Sequence, residues 1–92
     1  AFAVCFDCTH SVQLPGAADT TGGRPERAPL LARAAVAAGV DALFLECHPD
    51  PRRAVSDAAT MLELSDAERL IRSVAALRSF LQDAGATRPA EI

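Results

Sequence analysis

The stretch AAVAAGVDALFLE, residues 34–46, decides the fold. Its alanine-rich first part is typical of a helix, and Gly39 is a typical residue at which a helix ends. The apolar run that follows is typical of a short buried strand, and it ends on the carboxylate of Glu46. We therefore predict a helix over residues 26–38, with Pro29 near its first turn, and a strand over residues 42–46.

The N-terminal side of this unit begins with a second apolar run, FAVCFDC, at residues 2–8. A continuous apolar and β-rich run indicates a strand buried on both faces, as in a parallel sheet. A polar, glycine-rich stretch follows at residues 11–24. A loop of this length within a compact domain is usually functional or disordered.

The C-terminal side begins with HPDP, residues 48–51, where each proline favours an extended or turning backbone before it. We predict a short helical turn over residues 52–55 and a last helix that Ser65 and Glu68 cap as a capping box. Gly85 ends this helix, and the tail to residue 92 is expected to be loose. The apolar positions of the last helix have helical spacing: Leu70, Ile71, Val74, Leu77 and Leu81.

The predicted order is strand, helix, strand, helix, which indicates βαβ units and a parallel sheet. Two parallel strands leave open edges and uncovered faces and do not form a stable domain alone. The chain also begins within a predicted strand and without methionine. We therefore expect residues 1–92 to be one segment of a larger α/β domain.

Composition excludes several classes of function. The 92 residues carry a net charge of −3, which gives no electrostatic basis for binding nucleic acid or an acidic membrane. No apolar run is long enough to span a bilayer, and no signal-peptide pattern opens the chain. Three cysteines without an export signal indicate reduced thiols and a cytoplasmic location.

Two of the cysteines form a nominal C-x-x-C, Cys5 and Cys8. We do not interpret this pair as a zinc or redox motif, because residues three apart in a strand point to opposite faces. No second cysteine pair is present to complete a structural zinc site. The simplest interpretation of the cysteines is that they are small apolar side chains.

Polar residues follow both predicted strands. His10 lies just beyond the first strand, Glu46 ends the second, and Asp57 follows in the next loop. In α/β folds the active site lies at the carboxyl ends of the parallel strands. Neighbouring strands are about 4.8 Å apart, so side chains at their ends can converge on one ion. Imidazole and carboxylate donors together suit Zn²⁺, Fe²⁺ or Mn²⁺. The alternative is structural: His10 caps a loop, Glu46 pairs with an arginine, and Asp57 caps a turn.

Three stretches resemble the 3-deoxy-D-manno-octulosonate 8-phosphate (KDO 8-phosphate) synthase family. Residues 6–16, FDCTHSVQLPG, resemble the family's FDATHSVQLPG. Residues 34–51 are similar to its AAVAVG…LFxETHPDP segment, and residues 54–58, AVSDA, are similar to the ALSD[GA] that follows. The order and the gaps also match, and the resemblance runs from about residue 4 to about residue 81.

The resemblance implies a TIM (β/α)8 barrel, of which residues 1–92 would be the C-terminal part: strands seven and eight with their helices. A complete barrel needs about 250 residues. The implied reaction condenses phosphoenolpyruvate with D-arabinose 5-phosphate and water, giving KDO 8-phosphate and phosphate for lipopolysaccharide biosynthesis. The resemblance also implies a homo-oligomer, specifically a tetramer.

The family's metal-dependent members hold a divalent ion with Cys, His, Glu and Asp. By resemblance His10, Glu46 and Asp57 are three of these ligands, and the fourth lies outside this chain; members that need no metal have Asn in its place. His10 or Asp57 would assist proton transfer to a water, Gln13 would bind substrate, and the stretch to Gly23 would form a mobile loop over the sugar phosphate. We interpret Asp7 as structural.

The chain departs from the family at a few positions. Cys8 replaces the usual Ala, Cys47 replaces the usual Thr, and residues 23–26, GRPE, depart from GGxRE by displacing the arginine. The sequence of residues 56–60 is closer to the metal-dependent subgroup. Two alternatives remain open: a DAHP synthase that uses erythrose 4-phosphate, or a non-catalytic fragment. The family's basic phosphoenolpyruvate-binding residues are outside this segment, so we expect the isolated chain to be inactive.

Overall fold

The computed structural model describes residues 2–14, 22–54 and 59–85. Their regular elements, apart from three single 3₁₀ turns, are the following: β1 (Cys5–Asp7), β2 (Gln13–Leu14), β3 (Gly22–Gly23), α1 (Ala28–Ala38), β4 (Ala42–Phe44), β5 (Cys47–His48), β6 (Leu62–Glu63) and α2 (Leu64–Asp83).

The central feature is a parallel pair, β1 and β4, joined through α1. The register aligns Cys5 with Ala42 and Asp7 with Phe44, and the Cys8 N–H extends the ladder by donating to the Phe44 carbonyl at 2.9 Å. Gly39 takes the left-handed conformation with φ 97° and ends α1, as predicted. The βαβ prediction is confirmed, although both strands are shorter than the apolar runs that indicated them.

The hydrophobic core lies between the parallel pair of strands β1 and β4 and the two helices. Its buried members are Cys8, Val12, Ala28, Ala32, Leu62, Ala67 and Leu70. The predicted apolar face of α1 (Leu30, Leu31, Ala34, Ala35 and Ala38) is confirmed at Ala35, which is buried, and at Leu31, which packs against the core, and it is wrong at the other three positions, which are exposed. Ala28, Ala32 and Val36 are buried as well. Leu30 is 63% exposed. Nearly every position of α1 is apolar, so spacing alone fits more than one face.

Helix α2 confirms most of its predicted pattern. Leu70 is buried, and Val74, Leu77 and Leu81 are half-buried, but Ile71 is 57% exposed. The predicted capping box is wrong: the N-cap is Glu63, which makes no side-chain cap hydrogen bond. The chain enters α2 directly from β6, so Ser65 already lies in the first turn.

The sequence did not predict two short pairings. β2 and β3 pair antiparallel at the two ends of the glycine-rich stretch, and β5 and β6 pair parallel. The predicted turn after HPDP is present as a 3₁₀ turn, Pro51–Arg53, while Val55 and the C-terminal tail lie outside the described residues.

The two faces of β1–β4 differ in their environment. Phe6 and Leu43 face the helices and pack against the core, whereas Cys5 and Phe44 on the other face are exposed. Within the described residues the helices cover only the face that carries Phe6 and Leu43, so burial on both faces stays a prediction for the larger domain. Asp7 belongs to the exposed face, since it pairs in register with Phe44.

Gly23 lies in close contact with the segment before β6, and we predict that Gly23→Ala destabilises the protein. A Cβ atom there would lie 2.5 Å from Thr60 Cγ2 and 2.8 Å from the Ala59 carbonyl oxygen. Thr60 is buried, so the backbone must shift to accept the methyl group. We expect the free energy of unfolding of the full-length protein, measured in urea, to fall by about 1–3 kcal/mol.

The control is Thr60→Ser, which removes Thr60 Cγ2, the nearer of the two atoms that the added Cβ would meet. It should restore part of the stability when combined with Gly23→Ala. An alanine variant as stable as the wild type would contradict the close approach of these two segments.

Candidate functional site

Two of the three predicted polar residues, His10 and Glu46, meet at the carboxyl ends of β1 and β4. Asp7 ends β1, His10 begins the 3₁₀ turn His10–Val12 that follows, and Glu46 lies two residues beyond β4. His10 Nε2 is 3.8 Å from Glu46 Oε1. The structure thus brings together two of the three predicted ligands, from segments far apart in the chain.

Asp57, the third predicted ligand, lies outside the described residues. Within residues 2–14, 22–54 and 59–85, no three His, Cys, Asp or Glu side chains cluster so as to hold an ion. His10 and Glu46 are therefore a pair in the described part of the chain.

Glu46 is fixed through its backbone. Its N–H donates to Thr9 Oγ1 at 2.8 Å, and its carbonyl accepts the Leu62 N–H at 3.2 Å. Thr9 is only 1% exposed, so its hydroxyl joins the two strand ends inside the core, where a hydrogen bond is costly to lose. The Glu46 carboxylate therefore extends from a residue whose backbone N–H and carbonyl are both hydrogen-bonded.

His10 is held by its ring as well as by its backbone. Its Nδ1 lies 2.8 Å from Asp7 Oδ2, and its ring stacks on Phe44 with 6.2 Å between centroids. Asp7 Oδ1 accepts the N–H groups of Thr9 and His10 at 2.9 and 2.8 Å, which is an Asx-type turn. Nε2, the other ring nitrogen of His10, faces Glu46.

Asp7 is an ionised carboxylate at neutral pH. Partial burial raises its pKa, but hydrogen bonds from the backbone and ring of His10 and from the Thr9 N–H lower it more, so the pKa of Asp7 lies below its ordinary value. An ionised carboxylate only accepts hydrogen bonds. The Nδ1 atom of His10 is therefore the donor in their contact.

Gln13, the predicted substrate-binding residue, lies next to this site along the chain. Its N–H donates to the His10 carbonyl, and it pairs with Gly23 at the base of the glycine-rich stretch. Its side chain is half-buried. The loop predicted to cover the sugar phosphate falls mostly on residues 15–21, which lie outside the described residues.

The two cysteines that replace family residues have different environments. Cys8 is fully buried in the core, whereas Cys47 is exposed. Burial, with the nearby charge of Asp7, raises the pKa of the Cys8 thiol. A protonated thiol is a poor nucleophile and a poor metal ligand, so Cys8 acts as a core residue.

The spacing of His10 and Glu46 fits a shared divalent ion. Two ligand atoms about 2.1 Å from one ion lie at most about 4.2 Å apart. The 3.8 Å between His10 Nε2 and Glu46 Oε1 is within that limit. Imidazole nitrogen with carboxylate oxygen is a donor combination suited to Zn²⁺, Fe²⁺ and Mn²⁺.

Sequence reasoning missed the parts played by two residues. The structural interpretation of Asp7 does not include its direct contact with the His10 ring. An aspartate two and three residues before available N–H groups is an Asx-turn signal and was the clue to its position. Thr9 left no such signal, because its partner Glu46 is 37 residues away.

Parallel strands joined through a helix, with polar residues at their carboxyl ends, are the arrangement of parallel α/β enzymes, TIM barrels among them. The sequence profile of the DAHP synthetase I family matches residues 1–83. The chain belongs to the DAHP synthetase I family.

Individual relatives agree with this assignment. The chain is 48% identical over 81 residues to 2-dehydro-3-deoxyphosphooctonate aldolase of Cyanothece sp. and 52% identical over 77 residues to the protein of that name from Nitratidesulfovibrio vulgaris, covering 87% and 83% of this chain. It also resembles the crystal structure of a DAHP synthase from Thermotoga maritima, with TM-score 0.64 and 26% identity over 95% of the chain.

The chain is much shorter than these proteins. It spans 30% and 28% of the two aldolases and 22% of the crystallised DAHP synthase. No helix among the described residues combines the length and the apolarity needed to cross a membrane.

Proposed function

We propose that residues 1–92 are the last two βα units of a TIM-barrel enzyme, in the order strand seven, helix seven, strand eight, helix eight. The parallel pairing of β1 and β4 through α1 supports this order. The exposed face with Cys5 and Phe44 supports it as well, because the inside of a barrel is packed with side chains from every strand.

The full-length enzyme condenses phosphoenolpyruvate with D-arabinose 5-phosphate and water to give KDO 8-phosphate and phosphate, for lipopolysaccharide biosynthesis. The observation that carries this proposal is 48–52% identity to proteins named 2-dehydro-3-deoxyphosphooctonate aldolase. The structural neighbour that is a DAHP synthase is only 26% identical, so the alternative substrate, erythrose 4-phosphate, is not favoured.

In this proposal His10, Glu46 and Asp57 would hold a divalent metal ion, Zn²⁺, Fe²⁺ or Mn²⁺, with a fourth ligand from outside this chain. When bound, the ion supplies a template and a Lewis acid for the aldehyde of arabinose 5-phosphate or for a water. His10 would present Nε2 to this position and Glu46 a carboxylate oxygen, while Asp57, or His10 where its Nε2 does not bind the ion, would move a proton from the water. The 3.8 Å separation of His10 Nε2 and Glu46 Oε1 supports the first two roles.

Gln13 binds substrate, and the glycine-rich stretch beyond it closes over the sugar phosphate and excludes water. The Gln13 N–H bond to the His10 carbonyl supports this, because it joins Gln13 to the turn that contains His10. We further propose a cytoplasmic homo-oligomer, a tetramer by resemblance to the family, which sedimentation of the full-length protein will test.

The reaction is tested with the full-length protein and both sugar phosphates. We expect release of inorganic phosphate from phosphoenolpyruvate with arabinose 5-phosphate and an eight-carbon product by mass spectrometry. Erythrose 4-phosphate should give little release. Preference for erythrose 4-phosphate would show that the protein is a DAHP synthase, and no release with either sugar would exclude both activities.

A further inference from the structure

Asp7 divides its two carboxylate oxygens between two tasks. Oδ1 accepts two backbone N–H groups, those of Thr9 and His10, and Oδ2 accepts from the His10 ring at 2.8 Å. The backbone bonds fix the rotation of the carboxylate. Oδ2 is therefore presented to Nδ1 of His10 in one orientation only.

The carboxylate determines which nitrogen of the neutral His10 ring carries the proton. A carboxylate only accepts, so Nδ1 must donate, and Nε2 is then the ring atom with the lone pair. Nε2 is also the atom that faces Glu46 Oε1. A carboxylate on the far nitrogen of a metal-binding histidine raises the basicity of the nearer one and holds the ring in place.

His48, the other histidine of the chain, shows the opposite arrangement. Its Nδ1 accepts the backbone N–H of Asp50 at 2.9 Å. A nitrogen that accepts cannot carry the proton, so neutral His48 is protonated at Nε2. The Asp7 carboxylate and the Asp50 N–H thus specify different tautomers for the two histidines, and only His10 presents an unprotonated Nε2.

We propose that Asp7 is a positioning residue that specifies the Nδ1-protonated tautomer of His10 and so makes Nε2 its working atom. This inference rests on the proposed function, in which His10 binds the metal or moves a proton. It assigns Asp7 no contact with substrate or metal, and it deepens the earlier interpretation of Asp7 as structural.

The substitution Asp7→Asn tests this assignment with almost no change in shape. The two backbone N–H groups require an oxygen acceptor, so the amide oxygen takes the place of Oδ1 and the NH₂ group faces His10 Nδ1. The NH₂ group only donates, so the ring must move its proton to Nε2, toward Glu46. The variant is expected to keep the fold and present the wrong tautomer.

The experiment is nitrogen NMR of the metal-free full-length protein with ¹⁵N-labelled histidine, recorded over a pH series that extends into the alkaline range. His10→Gln assigns the His10 signals. We expect His10 to be protonated at Nδ1 in the wild type and at Nε2 in Asp7→Asn. We expect Zn²⁺ affinity, measured by competition with a chelator, to fall about 10–100-fold in Asp7→Asn.

Asp41→Asn is the matched control. Asp41 Oδ2 accepts the Val4 N–H at 2.7 Å at the other end of the β1–β4 pair, so this variant also weakens a carboxylate-to-backbone bond in the same element. It should leave the His10 tautomer and the Zn²⁺ affinity unchanged. A similar loss in both variants would assign Asp7 to fold stability alone and overturn the proposal.

Three further results would overturn it: wild-type His10 protonated at Nε2, an unchanged tautomer in Asp7→Asn, or a switched tautomer with unchanged Zn²⁺ affinity. The first needs only the wild type and decides the matter even if the variant does not fold. Failure of the proposed function has a different signature, namely Zn²⁺ affinity that His10→Ala leaves unchanged.

Discussion

His10→Ala is expected to lower kcat of the full-length protein by about 10³-fold, because the proposed function assigns His10 to binding the metal or to moving a proton. Metal content after dialysis should fall in parallel. The His10 side chain is 41% exposed, so the free energy of unfolding should change little. Steady-state phosphate release, atomic emission and urea denaturation measure these three quantities.

The matched control is Glu68→Ala, which removes a side chain of α2 that pairs with Arg72 at 2.7 Å. This exposed pair contributes little to stability, and the variant should keep the wild-type rate and metal content. If His10→Ala also kept them, the assignment of His10 to the active site would be wrong. A loss of rate with full metal content would leave His10 as a proton-transfer group only.

Thr9→Val is expected to lower the free energy of unfolding by about 1–3 kcal/mol, although valine has nearly the same shape. The Thr9 hydroxyl accepts the Glu46 N–H at 2.8 Å in the core, and valine leaves that N–H without its acceptor. Since the bond also fixes the Glu46 backbone, metal affinity should fall by about 10-fold or more. Urea denaturation and chelator competition on the full-length protein measure the two effects.

Thr9→Ser separates the hydroxyl from the methyl group. Serine keeps the acceptor for Glu46 and loses only a buried methyl, which costs about 1 kcal/mol. It should therefore retain metal affinity while losing some stability. A valine variant that binds metal as tightly as the wild type would show that the Thr9 bond does not position Glu46.

The main elements of the fold were predictable because their signals are local. The apolar runs at residues 2–8 and 42–46 contain β1 and β4, and Gly39 ends α1 as its conformational freedom suggests. The pairings β2–β3 and β5–β6 were not predictable, because two-residue strands have no periodicity. The prediction of the buried face of α1 was also wrong at most positions, since the spacing of apolar residues in an almost wholly apolar helix is compatible with more than one buried face.

The residues of the candidate site could be proposed from the sequence, whereas the contacts of His10 and Glu46 could not. His10 and Glu46 follow strand ends, and the resemblance in residues 6–16 and 34–51 selects them. That resemblance did not show how the two side chains are held. Asp7 and Thr9 hydrogen-bond to His10 and Glu46 and hold them in position. The sequence alone does not distinguish Asp7 and Thr9 from other polar residues at the end of a strand.

The sequence by itself determined the class of fold, the family and the donor types at the strand ends, because these depend on residues close together in the chain. Only the tertiary structure decided the Glu46 position and its 3.8 Å distance from His10 Nε2. The physical reason is that this geometry depends on a hydrogen bond between residues 37 apart and on the register of a parallel pair. Neither leaves a periodic pattern in the sequence.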